Sequence, residues 1–306
     1  MKAIVVDPAS ASKFGFAEVP EPVPGPGQVL VDVRHSSLNA GELYMAGVLD
    51  PGAVLGFEAT GLVVAAAADG SGPPVGSRVM TYADNGGWAR LRAVDTTDVA
   101  VVPDSIDLGV AATLPVAAGT ALRALQQAGP LTGLRVLVTG AVGGVGTFAV
   151  QLAQISGAYV IASVSSAERG KGLRELGADQ VVIGLDGIDR PVDVVIDQVG
   201  GPQLVRAYGL LAPGGNVQSV GWSSQQAATF PVGSTLGRRR PITLTSVYNG
   251  GGLTDRGTNF RILLDLIDTG KLEPVIGWRD TWDRIDDAVS ALTGRTLSGK
   301  AVLDLT

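Results

Sequence analysis

Val136-Leu137-Val138-Thr139-Gly140-Ala141-Val142-Gly143-Gly144-Val145-Gly146 decides how this chain is read. A short apolar strand runs into a glycine-rich turn. Behind the turn, Val145, Phe148, Ala149, Leu152 and Ala153 recur at the spacing of one helix face. Ala141, Gly143 and Gly146 stand at the spacing of a dinucleotide-binding fingerprint, with alanine in the first glycine slot. Gly143 lets the backbone approach a pyrophosphate, and Gly146 lets helix and strand pack closely. The helix N-terminus, at Gly144 and Val145, turns N–H groups and a positive dipole end toward the phosphates.

Downstream, apolar strands are predicted at 159–164, 180–183, 192–197, 216–220 and 242–247, with helical segments between several of them. That alternation implies an α/β, doubly wound parallel sheet covered on both faces. Upstream, Val29–Arg34 alternates like a half-buried strand, and 61–66 and 78–82 are further short strands. The run Pro20–Gly27 excludes helix, and Asp69–Pro74 is turn-rich. This first part reads as a β-rich open barrel. Amphipathic helices around 260–267 and 285–292 precede an apolar strand at 299–305, which is expected to return to the first domain. The expected division is 1–118 with 249–306 around a cofactor domain at 119–248.

Composition narrows the classes. The 306 residues are 45% hydrophobic and 17% charged, which argues against disorder. A net charge of −6 leaves no electrostatic footprint for nucleic acid. The run Arg238-Arg239-Arg240 is too short to change that, and its role is unassigned. With no cysteine and one histidine, His35, disulfides and cysteine-based zinc sites are excluded, and no metal site is expected. No long apolar leader or membrane-spanning run is read, so the expectation is a cytoplasmic protein.

About 20 residues past the glycine turn, where an NAD enzyme places a carboxylate, the chain has Ser165 and Ser166, with Arg169 and Lys171 following. Hydroxyls and a cation suit a 2′-phosphate, which a carboxylate would repel. The reading is NADPH; the alternative for Arg169 and Lys171 is a solvated helix face.

Taken in order, several blocks resemble the medium-chain dehydrogenase/reductase superfamily, in its zinc-independent quinone oxidoreductase branch. They are Pro24–Val31, Leu38-Asn39-Ala40-Gly41-Glu42-Leu43-Tyr44, Gly56-Phe57-Glu58, Ala112–Ala121, the glycine turn, Asp197-Gln198-Val199-Gly200-Gly201 and Gly299-Lys300-Ala301-Val302-Leu303. Zinc relatives carry Gly-His-Glu where this chain has Gly56-Phe57-Glu58, and Phe57 binds no metal.

The resemblance implies a GroES-like substrate domain beside the cofactor domain, a homodimer through the edge strand at 242–247, and hydride transfer from NADPH to a small-molecule quinone or α,β-unsaturated carbonyl. It places Asn39 and Tyr44 on the substrate side, Asn39 to hold a carbonyl oxygen and Tyr44 to stack or donate a proton. Thr120 and Lys300 match cofactor-contacting positions. Alternatively Thr120 caps a helix and Lys300 is solvent-exposed. Val199 and Gly221 end strands where the cofactor's nicotinamide end is expected, and the loop Tyr248–Gly252 could close over it. No obvious carboxylate pair is read, consistent with chemistry that is mostly positioning. The rival activities are enoyl-thioester reduction and NADPH binding without turnover. Steady-state kinetics test the cofactor reading: KM for NADPH should lie at least about tenfold below that for NADH, and equal use of NADH would refute it.

Overall fold

Two units make up the chain, Thr120–Asn249 and, around it, Met1–Gly119 with the stretch from Gly250 onward. The computed structural model describes residues 1–236, 240–250, 252–253 and 256–305. Arg238, Arg239 and Gly251, singled out above, lie outside them.

In chain order, the first unit begins with β1 (Lys2–Val6), β2 (Phe14–Glu18), β3 (Gln28–Leu38) and α1 (Ala40–Met45). It continues through β4 (Glu58–Ala65), β5 (Arg78–Tyr82), β6 (Leu91–Asp95), β7 (Val99–Val101) and α2 (Leu108–Ala111). A π-helical turn, Leu114–Ala118, leads into α3 (Gly119–Ala128), which opens the second unit. There follow β8 (Arg135–Val138), α4 (Gly144–Ile155), β9 (Tyr159–Val164), β10 (Gln180–Ile183), β11 (Val192–Asp197), α5 (Gly201–Gly209), β12 (Leu211–Ser219) and β13 (Thr243–Ser246). The chain then completes the first unit with α6 (Arg256–Asp268), β14 (Ile276–Thr281), α7 (Ile285–Thr293) and β15 (Lys300–Asp304).

In the second unit, six strands pair in parallel in the order β10-β9-β8-β11-β12-β13. This is the doubly wound order, in which the chain walks outward from β8 to one edge and restarts on its other side. Val136, Leu137, Val138, Val160, Ile161 and Ala162 are all fully buried, as expected of strands covered on both faces. The reversal brings the carboxyl ends of β8 and β11 side by side. Ligands of such sheets bind outside strand ends at that point. β13 is the edge strand, and its four residues are exposed.

In the first unit, a β-rich sheet runs β14-β15-β3-β4-β5-β7, with β6 also on β3. β3 alternates buried and half-buried residues up to Arg34 and is then buried from Ser36 to Leu38. Its early part packs Val29 and Val31 with Val63, Val79 and Val94, and its later part packs Val33 and Leu38 with Trp88, Trp282 and Leu303. β14, with exposed residues alternating along it, carries no apolar pattern and is absent from the sequence reading. β15 lies between β14 and β3, parallel to one and antiparallel to the other. Among the described residues one helical run, Leu108–Ala128, is long and apolar enough to cross a membrane by length and composition alone. Of its most apolar window, 72% is buried inside the protein.

Gly299 sets up β15. Its φ is +69°, and a Cβ there would stand 2.0 Å from the Val275 carbonyl oxygen. Gly299→Ala is expected to lower stability by at least about 2 kcal/mol, because left-handed strain and a backbone clash add. A urea midpoint equal to the wild type's would contradict this.

Candidate active site

The second unit builds its site from backbone. Thr139 Oγ1 donates to Asp197 Oδ1 at 2.7 Å, and Gly200 N–H donates to Asp197 Oδ2 at 2.8 Å, which ties the ends of β8 and β11 together. Burial pushes the Asp197 carboxyl up, against the pull of these donors. At Gly146 a Cβ would stand 2.4 Å from the Gly140 carbonyl oxygen, so only glycine lets α4 start this close to the turn. Gly143 caps α4 and brings no side chain to its first amides. The α4 ladder begins with Thr147 N–H donating to the Gly143 carbonyl at 3.0 Å, so the N–H groups of Gly144, Val145 and Gly146 precede it. Ala141 and Gly143 already donate, to the carbonyls of Ser163 and Gly140 at 3.1 and 2.9 Å. A helix end with unladdered N–H groups and a glycine cap fits a pyrophosphate.

Ser165 and Ser166 directly follow β9, at its carboxyl end. Arg169 N–H donates to Ser166 Oγ at 3.4 Å. Lys171 pairs with Glu168 at 2.7 Å. The stretch around them is turns rather than helix; Lys171 is exposed to solvent, and Arg169 is half-buried. Gly221 N–H donates to the Asp197 carbonyl at 3.2 Å, and Ser224 N–H to the Val199 carbonyl at 2.9 Å, so Val199 and Gly221 lie on loops laced together. Thr120 sits within α3, which continues from helical Gly119, so the capping alternative also fails. Its Oγ1 accepts from Asn249 Nδ2 at 3.1 Å.

The first unit builds a site from buried charges. Lys300, considered above as a cofactor contact or an exposed lysine, is 2% exposed. Its ammonium donates to the Leu38 carbonyl at 3.1 Å, to Asn39 Oδ1 at 2.5 Å and to Glu58 Oε1 at 2.9 Å. Those three acceptors match its three protons. Glu58 Oε1 also accepts from Ser37 Oγ and, at 2.8 Å, from Asn39 Nδ2, while Oε2 accepts from Val116 N–H at 2.7 Å. That last bond draws an amide of the π-helical turn onto a side chain, and such insertions open helices locally.

Glu42 completes the cluster. Its Oε2 accepts from Asn39 N–H at 2.7 Å and its Oε1 from Phe57 N–H at 3.1 Å. Burial, reinforced by the charge of Glu58, pushes the Glu42 carboxyl up to about 7, although Phe57 N–H, Lys300 and Asn39 pull it down. A buried carboxylate pair therefore exists where the sequence reading had none. The signal was present in the capping spacing Asn39-x-x-Glu42. Asn39 uses its amide at both ends, and its second Nδ2 proton faces Glu42 Oε1 at a long 3.4 Å. Tyr44 is 74% exposed. Among the described residues no group of three metal-ligating side chains occurs.

Comparison with known proteins agrees with this architecture. Residues 25–104 match the model of the alcohol dehydrogenase GroES-like domain, and 144–268 that of the zinc-binding dehydrogenase domain, together about two thirds of the chain. Prostaglandin reductase-3 of Mus musculus is 32% identical over 228 residues, 68% of this chain; the match spans only 58% of that relative's length. The quinone oxidoreductase from Coxiella burnetii superposes with a TM-score of 0.86 at 25% identity, covering 100% of this chain and 99% of that one. A mycobacterial protein solved in complex with NADPH superposes with a TM-score of 0.89 at 26% identity, covering 99% of this chain and 100% of that one.

Removing one partner of the buried pair tests the energetics. Lys300→Met should destabilise by about 3–5 kcal/mol, because Glu58 would be left buried without its counter-ion. Adding Glu58→Gln to Lys300→Met should recover part of that loss. Additive effects in chemical denaturation would show that the pair is not coupled.

Proposed function

Because the chain belongs to the medium-chain dehydrogenase/reductase superfamily, in its zinc-independent, quinone-oxidoreductase-like branch, we propose that this oxidoreductase transfers a hydride from NADPH to a quinone or an α,β-unsaturated carbonyl compound. The observation that carries the reading is the glycine cradle at the reversal of a six-stranded parallel sheet. NADPH bound there would supply the hydride. The N–H groups of Gly144, Val145 and Gly146 would bind its pyrophosphate, with Ala141 and Gly143 shaping the turn. Ser165, Ser166 and Arg169 would take the 2′-phosphate, and Val199, Gly221 and Thr120 would line the nicotinamide end.

On the acceptor side, the loosely held Nδ2 proton of Asn39 would donate to the substrate carbonyl. It is the Nδ2 proton left over from the 2.8 Å bond to Glu58, and it meets Glu42 only at 3.4 Å. Tyr44, exposed on α1, would lie against the flat acceptor and could pass it a proton from its hydroxyl. Lys300 would act through Asn39, since its ammonium already holds Asn39 Oδ1. The relative and the neighbour are named for reducing a prostaglandin and a quinone. Both acceptor classes take hydride at a conjugated carbon, which supports a single description of the chemistry. The open, exposed edge of β13 supports a homodimer formed by strand pairing, since such edges are usually covered.

Steady-state assays with NADPH and 9,10-phenanthrenequinone, a simple enone and an enoyl thioester test the proposal. Turnover of the quinone or the enone is the expected result. Activity confined to the thioester would reassign the enzyme to enoyl-thioester reduction, and no turnover of any acceptor by NADPH-loaded protein would defeat the reductase reading. Asn39→Ala should lower kcat/KM by about tenfold to a hundredfold, the worth of one hydrogen bond to the acceptor.

A further inference from the structure

We propose that Glu42 is a positioning residue: as a carboxylate it holds Asn39 and Phe57 by their N–H groups, and when it takes up a proton the acceptor side of the site loosens. The inference rests on the reading of Asn39 and Tyr44 as acceptor-side residues.

Three observations carry it. First, α1 has six residues, too few for a helix to persist on its own propensity. Second, Glu42 is the only fully buried residue of α1, so the helix that bears Tyr44 is held by a carboxylate as well as by Leu43 and Met45, which are only partly buried against the core. Third, that carboxylate grips two separate backbones. Oε2 takes the N–H of Asn39, at the junction of β3 and α1, and Oε1 takes the N–H of Phe57, just before β4.

The groups that face it set when it can let go. Glu58 on β4 opposes its charge, Lys300 on β15 favours it, and Arg92 on β6, itself fully buried, adds a further positive field. Burial and Glu58 prevail, which puts the change of charge near neutrality. Protonation weakens Glu42 as an acceptor and turns one of its two oxygens into a donor facing another donor. The junction that carries Asn39, and the helix that carries Tyr44, then lose one of their fastenings, while Lys300 and Glu58 still hold the Asn39 side chain. A side chain that only filled space would produce no such dependence on protons.

The test uses the intact protein. The amide resonances of Asn39 and Phe57 are followed by NMR from about pH 5.5 to about pH 8.5, a range spanning the ordinary and raised carboxyl values. Both should move with a shared midpoint near 7 in the wild type and stay still in Glu42→Gln. In parallel, kcat/KM for the acceptor should fall on the acid side with the same midpoint. In Glu42→Gln that profile should be flat, with acceptor KM raised several-fold and NADPH Kd within about twofold of wild type.

Amides that do not titrate overturn the proposal, and this wild-type measurement suffices even if the variant does not fold. An acid limb that persists in Glu42→Gln, or a flat profile in the active wild type, also overturns it. Titrating amides in a protein that turns over no acceptor at any pH would uphold the clamp and defeat the reductase reading instead.

Discussion

A buried ammonium against a buried carboxylate, Lys300 on Glu58, is the constraint around which the first unit is arranged. Neither charge can be left alone in the interior, because the desolvation penalty of each exceeds what a bare ion pair returns. The pair is tolerable only when the remaining lone pairs and protons are met. That requirement recruits Ser37, Leu38 and Asn39 from the end of β3 and Val116 from the π-helical turn. Residues 242 positions apart in sequence are thereby fixed to one another, and Asn39 is fixed between them.

The candidate sites of the two units are built differently. In the second, the groups that would meet phosphate are main-chain amides at the start of α4, and side chains matter there mainly by their absence at Gly143 and Gly146. In the first, the groups are side chains whose positions depend on a chain of hydrogen bonds. The amides of the cradle do not titrate, whereas the cluster of the first unit contains a carboxyl pushed up to about 7. Substitutions should accordingly fail in different ways: by steric collision in the cradle, and by an unmet charge in the cluster.

Much of the fold could be read directly. β9, β10 and β11 fall on the residues that their apolar runs mark, because strands buried on both faces declare themselves without reference to anything distant. The glycine turn was readable for the same local reason. What could not be read depends on contacts between remote segments. Glu58 and Lys300 each sit in an otherwise apolar run, and no local pattern announces that the two would meet. β14 escaped because it is polar on one face and is held by pairing with β15. Glu42 was legible only in part: its capping spacing after Asn39 marks the start of α1, but nothing local shows that it would face Glu58.

β15 occupies an interior place in its sheet, between β14 and β3, yet it follows all the other described strands in sequence. On the ribosome, the second unit has all its strands well before Lys300 is added, while Glu58 and the end of β3 have waited through more than two hundred residues of synthesis. Until Lys300 is added, a nascent first unit therefore carries Glu58 without its counter-ion and β3 without β15. Closure of this sheet waits on a segment more than two hundred residues downstream of Glu58, and open sheet edges are the kind of surface on which incomplete domains aggregate.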